Sequence, residues 1–402
     1  MHFIHTADIH FGTENYGFID AKTGLHTRLL DFRDALQQCV TYAIKQQVDF
    51  FLFCGDAYKT SCPTPTQQKL LLGLFLQLYR AKIPVIIIVG NHDHPLTFGK
   101  THSLDIFAEL PIDGFHVVNK PEKITINTRN GPVQIVGIPW PTKSLCSLSN
   151  HGLTNTQISQ EITRIISTLI KNFARELDQS IPAILAGHLS VSSGLFSGSE
   201  KHALNGNDPV FLPSQLALEE FCYVALGHLH KHQIINANQT PPIVYAGSIE
   251  RIDFGERHEE KGFCDVHIEK NKVSHVTFKK TNTRPFVQLD FNLKPEIANQ
   301  TEYLINEIKK HEFIGAILKI TYKLAPGQKD FVDLKTLQQA CNAAHYIAGI
   351  HAIRHIQHQE RRSQAKLEMN FETLLKEYFK QKPELQNRSN ELIEKIMQLK
   401  NE

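Results

Sequence analysis

The sequence predicts an α/β protein. Two observations carry this: short apolar, β-branched runs alternate with stretches of helical periodicity, and run after run stops at a glycine followed by an acidic or imidazole side chain. The pattern is plainest at Val85-Ile86-Ile87-Ile88-Val89-Gly90-Asn91-His92-Asp93-His94. Ile83 to Val89 is apolar almost throughout, as a strand buried on both faces requires, and Gly90 then lets the backbone turn. Asn91, His92 and Asp93 are thereby delivered to a loop at a strand's end. Asn, Asp and Gly also form ordinary turns, so this stretch alone leaves a polar turn and an active site equally open.

Length and composition set the outer limits. At 402 residues the chain exceeds one typical core and points to two or three domains. Apolar residues make up 41% and charged residues 21%, the balance of a globular protein. The longest apolar runs, Phe50 to Cys54 and Ile83 to Val89, fall far short of the roughly 20 residues that span a bilayer, so no membrane association is expected. Met1 leads into Phe3-Ile4-His5-Thr6 with neither a basic n-region nor a long h-region, which predicts a cytoplasmic protein. The seven cysteines are scattered without a C-x-x-C pair, so neither a disulfide framework nor a zinc knuckle is indicated. With a net charge of only +2, any nucleic-acid surface must be local. The 22 histidines direct attention to metal-ligand spacing.

In chain order, His2 to Thr6 is a first strand that ends at Ala7-Asp8-Ile9-His10. Residues i and i+2 of an extended segment face one side, so Asp8 and His10 can meet one ion, although a lone D-x-H is weak evidence. After a Gly- and aromatic-rich loop, Thr27 to Gln47 places Leu29, Phe32, Leu36, Val40, Ala43 and Ile44 at the spacing of an amphipathic helix. Asp49 to Cys54 is the second strand and ends in Gly55-Asp56; Thr66 to Ala81 is the second helix; Ile83 to Val89 is the third strand. Later, Pro182 to Ala186 ends in Gly187-His188, and Tyr223 to Leu226 ends in Gly227-His228-Leu229-His230. Strand ends carrying D-x-H, G-D, G-N-H-D, G-H and G-H-x-H, in that order, are hard to assign to independent turns. The donors are oxygen and nitrogen with no thiolate, which suits two borderline-hard divalent ions, Mn²⁺ first, with Mg²⁺ or Fe²⁺ as alternatives. Two ions about 3.5–4 Å apart can clamp a phosphate and activate a bridging water, so phosphoester hydrolysis is the expected chemistry.

This ordered set, Asp8-x-His10, Gly55-Asp56, Gly90-Asn91-His92-Asp93, Gly187-His188 and Gly227-His228-x-His230, resembles the calcineurin-like metallophosphoesterase superfamily. Within it the chain is similar to the SbcD-type DNA repair exonucleases, on Tyr245-Ala246-Gly247-Ser248-Ile249-Glu250-Arg251, Asp253-Phe254-Gly255-Glu256 and Glu260-Lys261-Gly262-Phe263. The resemblance implies a four-layer αββα sandwich, then a small α+β capping domain and a helical tail. It implies Asp8, His10, Asp56 and His230 on one metal ion, Asp56, Asn91, His188 and His228 on the other, and Asp56 as the bridge. His92 resembles the family's catalytic histidine, which stabilises the scissile phosphate or protonates the leaving group, with Asp93 orienting it. Lys59 departs from the pattern, standing where many relatives carry a histidine or an acidic residue. The family further implies DNA as substrate, an SbcC-like ATPase of the SMC family as partner, a homodimer within a heterotetramer, and association with the nucleoid.

Phe115 to Val118, Ile124 to Thr128 and Val133 to Ile138 are expected as strands of the second sheet, and Thr156 to Leu177 as a helix. Ser192 to Pro209 is a rim loop that either meets substrate or is plain surface, and Trp140, between two prolines, is expected to serve packing. A polar, basic joint from Lys279 to Pro285 marks a change of domain: 1–282 nuclease domain, 283–360 capping domain, 361–402 basic linker and tail. Arg354, Arg361, Arg362 and Lys366 suit phosphate contacts and a solvated linker equally. In the tail, Leu374, Leu375, Tyr378 and Phe379 precede Pro383, and Leu392, Ile393, Ile396 and Leu399 follow it. These two apolar stripes either grip the partner's coiled coil as a helix in a groove or dock on the cap. A DNA nuclease subunit is therefore the favoured function; a phosphoprotein or small-molecule phosphoesterase, and a catalytically weak scaffold for an ATPase, are the alternatives.

Overall fold

The computed structural model describes residues 1–94, 101–109, 112–144, 152–198, 208–237, 239–269, 272–354, 371–380 and 383–400. Two six-stranded sheets form its centre. The first contains β1 (His2–Thr6), β2 (Phe50–Phe53), β3 (Val85–Ile88), β4 (Phe115–Val118), and, from later in the chain, β13 (Gly262–Glu269) and β14 (Lys272–Lys280). Their order is β14-β13-β1-β2-β3-β4, with β1 to β4 parallel and the last two strands antiparallel. The second sheet has the order β11-β12-β10-β7-β6-β5, built from β5 (Glu122–Thr128), β6 (Gly131–Ile138), β7 (Ala183–His188), β10 (Tyr223–Gly227), β11 (Gln233–Ile234) and β12 (Ile243–Tyr245). A short parallel pair, β8 (Ser190–Val191) and β9 (Val210–Phe211), lies beside it.

The alternation of side chains along these strands creates the layers. On β2, Phe50 and Leu52 face the space between the sheets, where they meet Ile135, Ile184, Ala225 and Val244 of the second sheet. Phe51 and Phe53 face outward and are covered by Leu36 and Val40 of α1 (Thr27–Gln46) and by Leu71 and Phe75 of α2 (Pro65–Arg80). On the far side, Val136, Leu185 and Leu226 receive Ile158, Ile162, Ile166 and Ile170 of α4 (Asn155–Arg175), one helical stripe. Helix, sheet, sheet, helix is a four-layer αββα sandwich. The two longer capping signals in the sequence explain where helices begin: Thr64 before Pro65 caps α2 with Gln67, and Thr154 caps α4 with Gln157, each as a reciprocal box.

Phe115–Val118 belongs to the first sheet, not the second as expected from sequence. It lies parallel to β3 with Val85 opposite Phe115, because the connection through α3 (Asp105–Ala108) crosses over and returns, as a parallel pair requires. A run of only four residues gives no periodicity by which to choose a sheet.

Beyond β14 a third sheet, β15 (Phe286–Leu293), β16 (Ile317–Leu324) and β17 (Tyr346–Arg354), is entirely parallel, with α6 (Gln300–Ile308) and α7 (Leu334–Ala340) as its crossovers. Leu304, Ile308 and Leu337 pack on Leu289, Leu318 and Ile320, a core separate from those of the sandwich. Arg284 joins the two: its guanidinium forks onto Asp31 of α1 at 2.8 and 2.6 Å. Phe254 of the sandwich also packs on Phe286 and Ile317 of the third sheet. Arg361, Arg362 and Lys366 lie outside the described residues, as does most of the rim loop, residues 199–207. Between β9 and β10 a short α5 (Pro213–Leu216) intervenes, and α8 (Phe371–Lys380) and α9 (Ser389–Lys400) form the tail. No described helix is long and apolar enough to cross a membrane.

Candidate metal centre

Each predicted donor follows the C-terminal end of a parallel strand, and the two sheets bring those ends together. Asp8 and His10 follow β1, Asp56 follows β2, and Asn91 to Asp93 follow β3; His188 ends β7, and His228 and His230 follow β10. The approach of the sheets here depends on glycine. A β-carbon at Gly227 would fall on the carbonyl oxygen of Cys54, and one at Gly55, whose φ is +93°, would fall on the His188 ring. Without those side chains the His188 Nδ1 reaches the Cys54 carbonyl at 2.7 Å, and the His228 N–H donates to Asp8 at 3.0 Å.

Four of the predicted donors adopt the left-handed region without being glycine: Asp8 at φ 53°, His10 at 52°, Asp56 at 59° and His228 at 97°. Each such residue costs on the order of 1–3 kcal/mol, so the loops must be held by something. Asp93 holds one of them. Its buried carboxylate accepts the N–H groups of Asp56 at 2.9 Å, Ala57 at 3.1 Å and Gly90 at 3.0 Å, which ties the β2 loop to the β3 loop. The expected role of Asp93, orienting His92, is therefore not the one it has. The His92 ring is held by backbone instead, its Nδ1 lying 2.8 Å from the Lys59 carbonyl oxygen. The main chain at Lys59 fastens the histidine whichever side chain stands there.

The donor atoms converge on one carboxylate oxygen. The Asp56 Oδ2 lies 3.6 Å from the His10 Nε2 and 3.4 Å from the His188 Nε2. On the first side, His10 Nε2 is 3.1 Å from His230 Nε2, and Asp8, His10 and His230 have donor atoms within 4.8 Å of one another. On the other side the Asn91 Oδ1 meets His188 Nε2 at 2.9 Å and His228 Nδ1 at 3.2 Å. His92 stands at the edge, half-buried, its ring perpendicular to that of His10 at 4.9 Å. Imidazole nitrogens that face one another or share an acceptor make poor hydrogen bonds but suitable ligands. Burial pushes His10 well below the ordinary histidine range and His228 down to about 3, so both rings are neutral with lone pairs to offer. Burial works against ionising Asp56, but the His188 and His10 rings outweigh it and hold the carboxyl well below its usual range. His10 Nδ1 and His228 Nε2 are buried without a hydrogen-bond partner, as donor atoms awaiting an ion would be. The residues fit two divalent ions.

Further residues support this centre without any signal of their own in the sequence. His230 Nδ1 lies 2.8 Å from Glu256 Oε1, and the other oxygen of Glu256 lies 2.9 Å from the buried ammonium of Lys261. That arrangement orients the ring and fixes which nitrogen faces the site. Glu256 and Lys261 sit 26 and 31 positions beyond His230, so no local spacing could have linked them. Tyr245 ties down the loop after β7, its hydroxyl donating to the Leu189 carbonyl at 2.6 Å and accepting from the Val191 N–H at 3.0 Å. Trp140, expected only to pack, packs against the site itself: its ring lies 4.8 Å from that of His228 and 6.1 Å from that of His188.

The calcineurin-like phosphoesterase family matches residues 1–232. The chain is 30% identical over 285 residues to the D subunit of the SbcCD nuclease of Staphylococcus epidermidis, a match covering 69% of this chain and 69% of that one. Among solved structures it is similar to a dimetal phosphatase from Danio rerio, with 10% identity, 67% of this chain and 92% of that chain covered, and a TM-score of 0.37. It is also similar to TT1561 of Thermus thermophilus, with 14% identity, 69% and 98% covered, and a TM-score of 0.39.

Proposed function

This chain belongs to the calcineurin-like phosphoesterase family and, within it, stands with the SbcD-type subunits; from that premise we propose that it is a two-metal DNA nuclease subunit. The observation that carries the proposal is the single carboxylate oxygen of Asp56 between two sets of donors, His10 Nε2 at 3.6 Å and His188 Nε2 at 3.4 Å. Asp8, His10, Asp56 and His230 hold one ion, and Asp56, Asn91, His188 and His228 the other. The nitrogen and oxygen donors favour Mn²⁺, with Mg²⁺ or Fe²⁺ as alternatives. Bound there, two such ions polarise a phosphoryl oxygen and lower the pKa of a water between them.

The chain's own contribution is position and a proton. A carbonyl oxygen only accepts, so the Lys59 carbonyl obliges His92 to carry its hydrogen on Nδ1. Nε2 is then the nitrogen that takes up a second proton and gives it to the leaving oxygen, or donates to the scissile phosphate in the imidazolium form. A polymeric substrate is supported by the third sheet's position. Phe254, two residues from Glu256, packs on that sheet, so the cap (283–360) stands beside the site where a small substrate would need no cover. The name of the staphylococcal relative, a component of SbcCD, supports an SbcC-like SMC-family ATPase as partner, engaged through the tail (361–402) of a homodimer within a heterotetramer acting on cytoplasmic, nucleoid-associated DNA.

The deciding experiment incubates the purified chain with Mn²⁺ and labelled duplex DNA, beside an Asp8→Ala control. Metal-dependent degradation lost in the control is expected. Turnover of phosphoprotein or small phosphodiesters with no attack on DNA would assign a phosphoesterase of the same family, and no turnover of any of them would leave a scaffold.

A further inference from the structure

We infer that the chain carries a second, separate metal site on the outer face of the first sheet, formed by His2, Asp265 and His267 and selective for a nitrogen-preferring ion such as Zn²⁺. Register places these residues together. His2 on β1 lies directly opposite His267 on β13, and Asp265 lies two residues earlier on the same strand, so all three side chains share one face. The face is the one covered by α1, since Tyr42 of that helix reaches Asp265. The site stands at the N-terminal end of β1, at the opposite end of the strand from Asp8.

The geometry is that of ligands rather than of a surface cluster. The two imidazole rings are stacked, with centroids 4.0 Å apart and planes 15° from parallel, and each turns its Nε2 to the same carboxylate oxygen. His2 Nε2 is 2.5 Å and His267 Nε2 is 3.5 Å from Asp265 Oδ1. The donor atoms of the three residues lie within 4.8 Å of one another. Asp265 is aimed by a neighbour: the Tyr42 hydroxyl donates to its other oxygen at 2.6 Å, which leaves Oδ1 for the histidines. His2 is anchored through its backbone, whose N–H donates to Asp49 at 2.8 Å. Asp265 is buried, while His267 is 40% exposed on its side chain, so the site has a closed floor and an open mouth. His275 on β14 stands opposite His267 and adds a third imidazole beside the mouth, 6.3 Å ring to ring.

The surroundings select the ion. A single carboxylate, with the Lys279 ammonium 3.9 Å from its far oxygen, is a poor host for Mg²⁺ or Ca²⁺, which need several oxygens and negative charge. Two neutral imidazoles and one carboxylate with open positions suit Zn²⁺, Ni²⁺ or Cu²⁺. An ion bound there would join the first residues of β1 to β13, a fastening far from the phosphoesterase centre.

The test compares the full-length chain with His267→Gln and His2→Gln, each with and without Asp56→Ala, after dialysis against Zn²⁺ and removal of free metal. We expect one equivalent more in the parent than in either histidine variant, the same difference in the Asp56→Ala background, and unchanged Mn²⁺-dependent phosphoester hydrolysis in the single histidine variants. Because the difference is read in both backgrounds, it stands or falls apart from the assignment of the centre around Asp56. Melting in EDTA guards against misfolding: in the Asp56→Ala background the histidine variants should melt with their parent there, and only that parent should gain stability when Zn²⁺ is restored. Equal Zn²⁺ content in parent and His267→Gln, both folded, would overturn the inference; so would a third equivalent that persists in His2→Gln.

Discussion

Glu256 holds His230 by one carboxylate oxygen, 2.8 Å from the ring Nδ1, while its other oxygen meets the buried Lys261 at 2.9 Å. Burial would raise the Glu256 carboxyl, but the Lys261 ammonium and His230 outweigh burial and hold it down to about 2. The residue is thus a permanent anion behind a candidate ligand, which raises the ligand's basicity and fixes its face. Glu256→Gln keeps the shape and removes the charge. It should weaken binding of one ion by roughly 10- to 100-fold, as loss of a supporting carboxylate does at other metal centres. Mn²⁺ titration of the folded variant is the measurement, and unchanged affinity for both ions would remove Glu256 from the site's support.

Asp56 and Asn91 should separate by metal count. Because the Oδ2 of Asp56 faces both His10 and His188, Asp56→Ala is expected to lose both ions, whereas Asn91→Ala, which touches only His188 and His228, chiefly weakens one. Elemental analysis of the two proteins after desalting decides this. Two retained equivalents in Asp56→Ala would contradict the bridging role.

His92 and Lys59 give a paired expectation. His92→Ala should keep metal and DNA but lose hydrolysis by on the order of a hundredfold or more, as removal of one transition-state stabiliser does. Lys59→Ala keeps the carbonyl that holds His92 Nδ1, so it should leave the maximal rate close to the parent's and act, if at all, on DNA affinity. Rates at saturating DNA distinguish the two. A His92→Ala protein that has lost metal would be evidence for a ligand, and a Lys59→Ala protein as slow as His92→Ala would show that the side chain, not the backbone, places the ring.

Much of the fold was legible because buried parallel strands are short apolar runs and the helices between them keep strict periodicity; Phe50 to Phe53 and the isoleucines of α4 are unmistakable. The candidate donors were legible for a related reason. Each sits after a strand, at a point where close approach calls for glycine, so Gly55-Asp56 and Gly227-His228 are marked by the company they keep. Phe115 to Val118 escaped assignment to its sheet because pairing is a non-local choice. Asp93, Glu256 and Trp140 were misread or passed over because their roles lie in what they touch across the fold: backbone N–H groups 36 and 37 positions away, a ring 26 positions away, and histidines from another sheet.

Acid should weaken the fold through His5, a residue away from the metal centre. It is fully buried between the Tyr223 hydroxyl at 3.1 Å and the Leu226 carbonyl at 3.2 Å, and burial pushes its pKa down to about 3 from an ordinary 6.5. The folded value lies below the unfolded one, so the unfolded chain takes up the proton first. The contribution of His5 is complete above pH 6.5 and declines as pH falls from 6.5 toward 3. At pH 5 the loss amounts to about 2 kcal/mol. Urea midpoints at pH 7 and pH 5, in EDTA to remove metal, should therefore differ more in the parent than in His5→Gln, and parallel shifts in the two proteins would dismiss the effect.

The tail offers the last expectation. Helices α8 and α9 pack on each other and bury Phe379 and Ile393, which are 5% and 7% exposed. That contact uses only part of each stripe: Tyr378 remains 53% exposed and Leu399 70%, and Leu392 and Ile396 are half-buried. Helices of 10 and 12 residues are marginal in water without tertiary packing, so a pair with this much apolar surface left over is suited to a second surface. Replacing Leu392 and Ile396 together with Asp places two charges on the stripe while leaving Phe379 and Ile393 in place. The substituted chain should fold, keep its metal and retain basal Mn²⁺-dependent cleavage, yet fail to bring down an SMC-family ATPase and gain nothing from ATP. Limited proteolysis supplies a second readout: the isolated parent should be cut first in the tail, and the ATPase should protect it. If the doubly substituted chain recovers the ATPase at the parent's level, the stripe is not the contact and the ATPase must grip another part of the molecule.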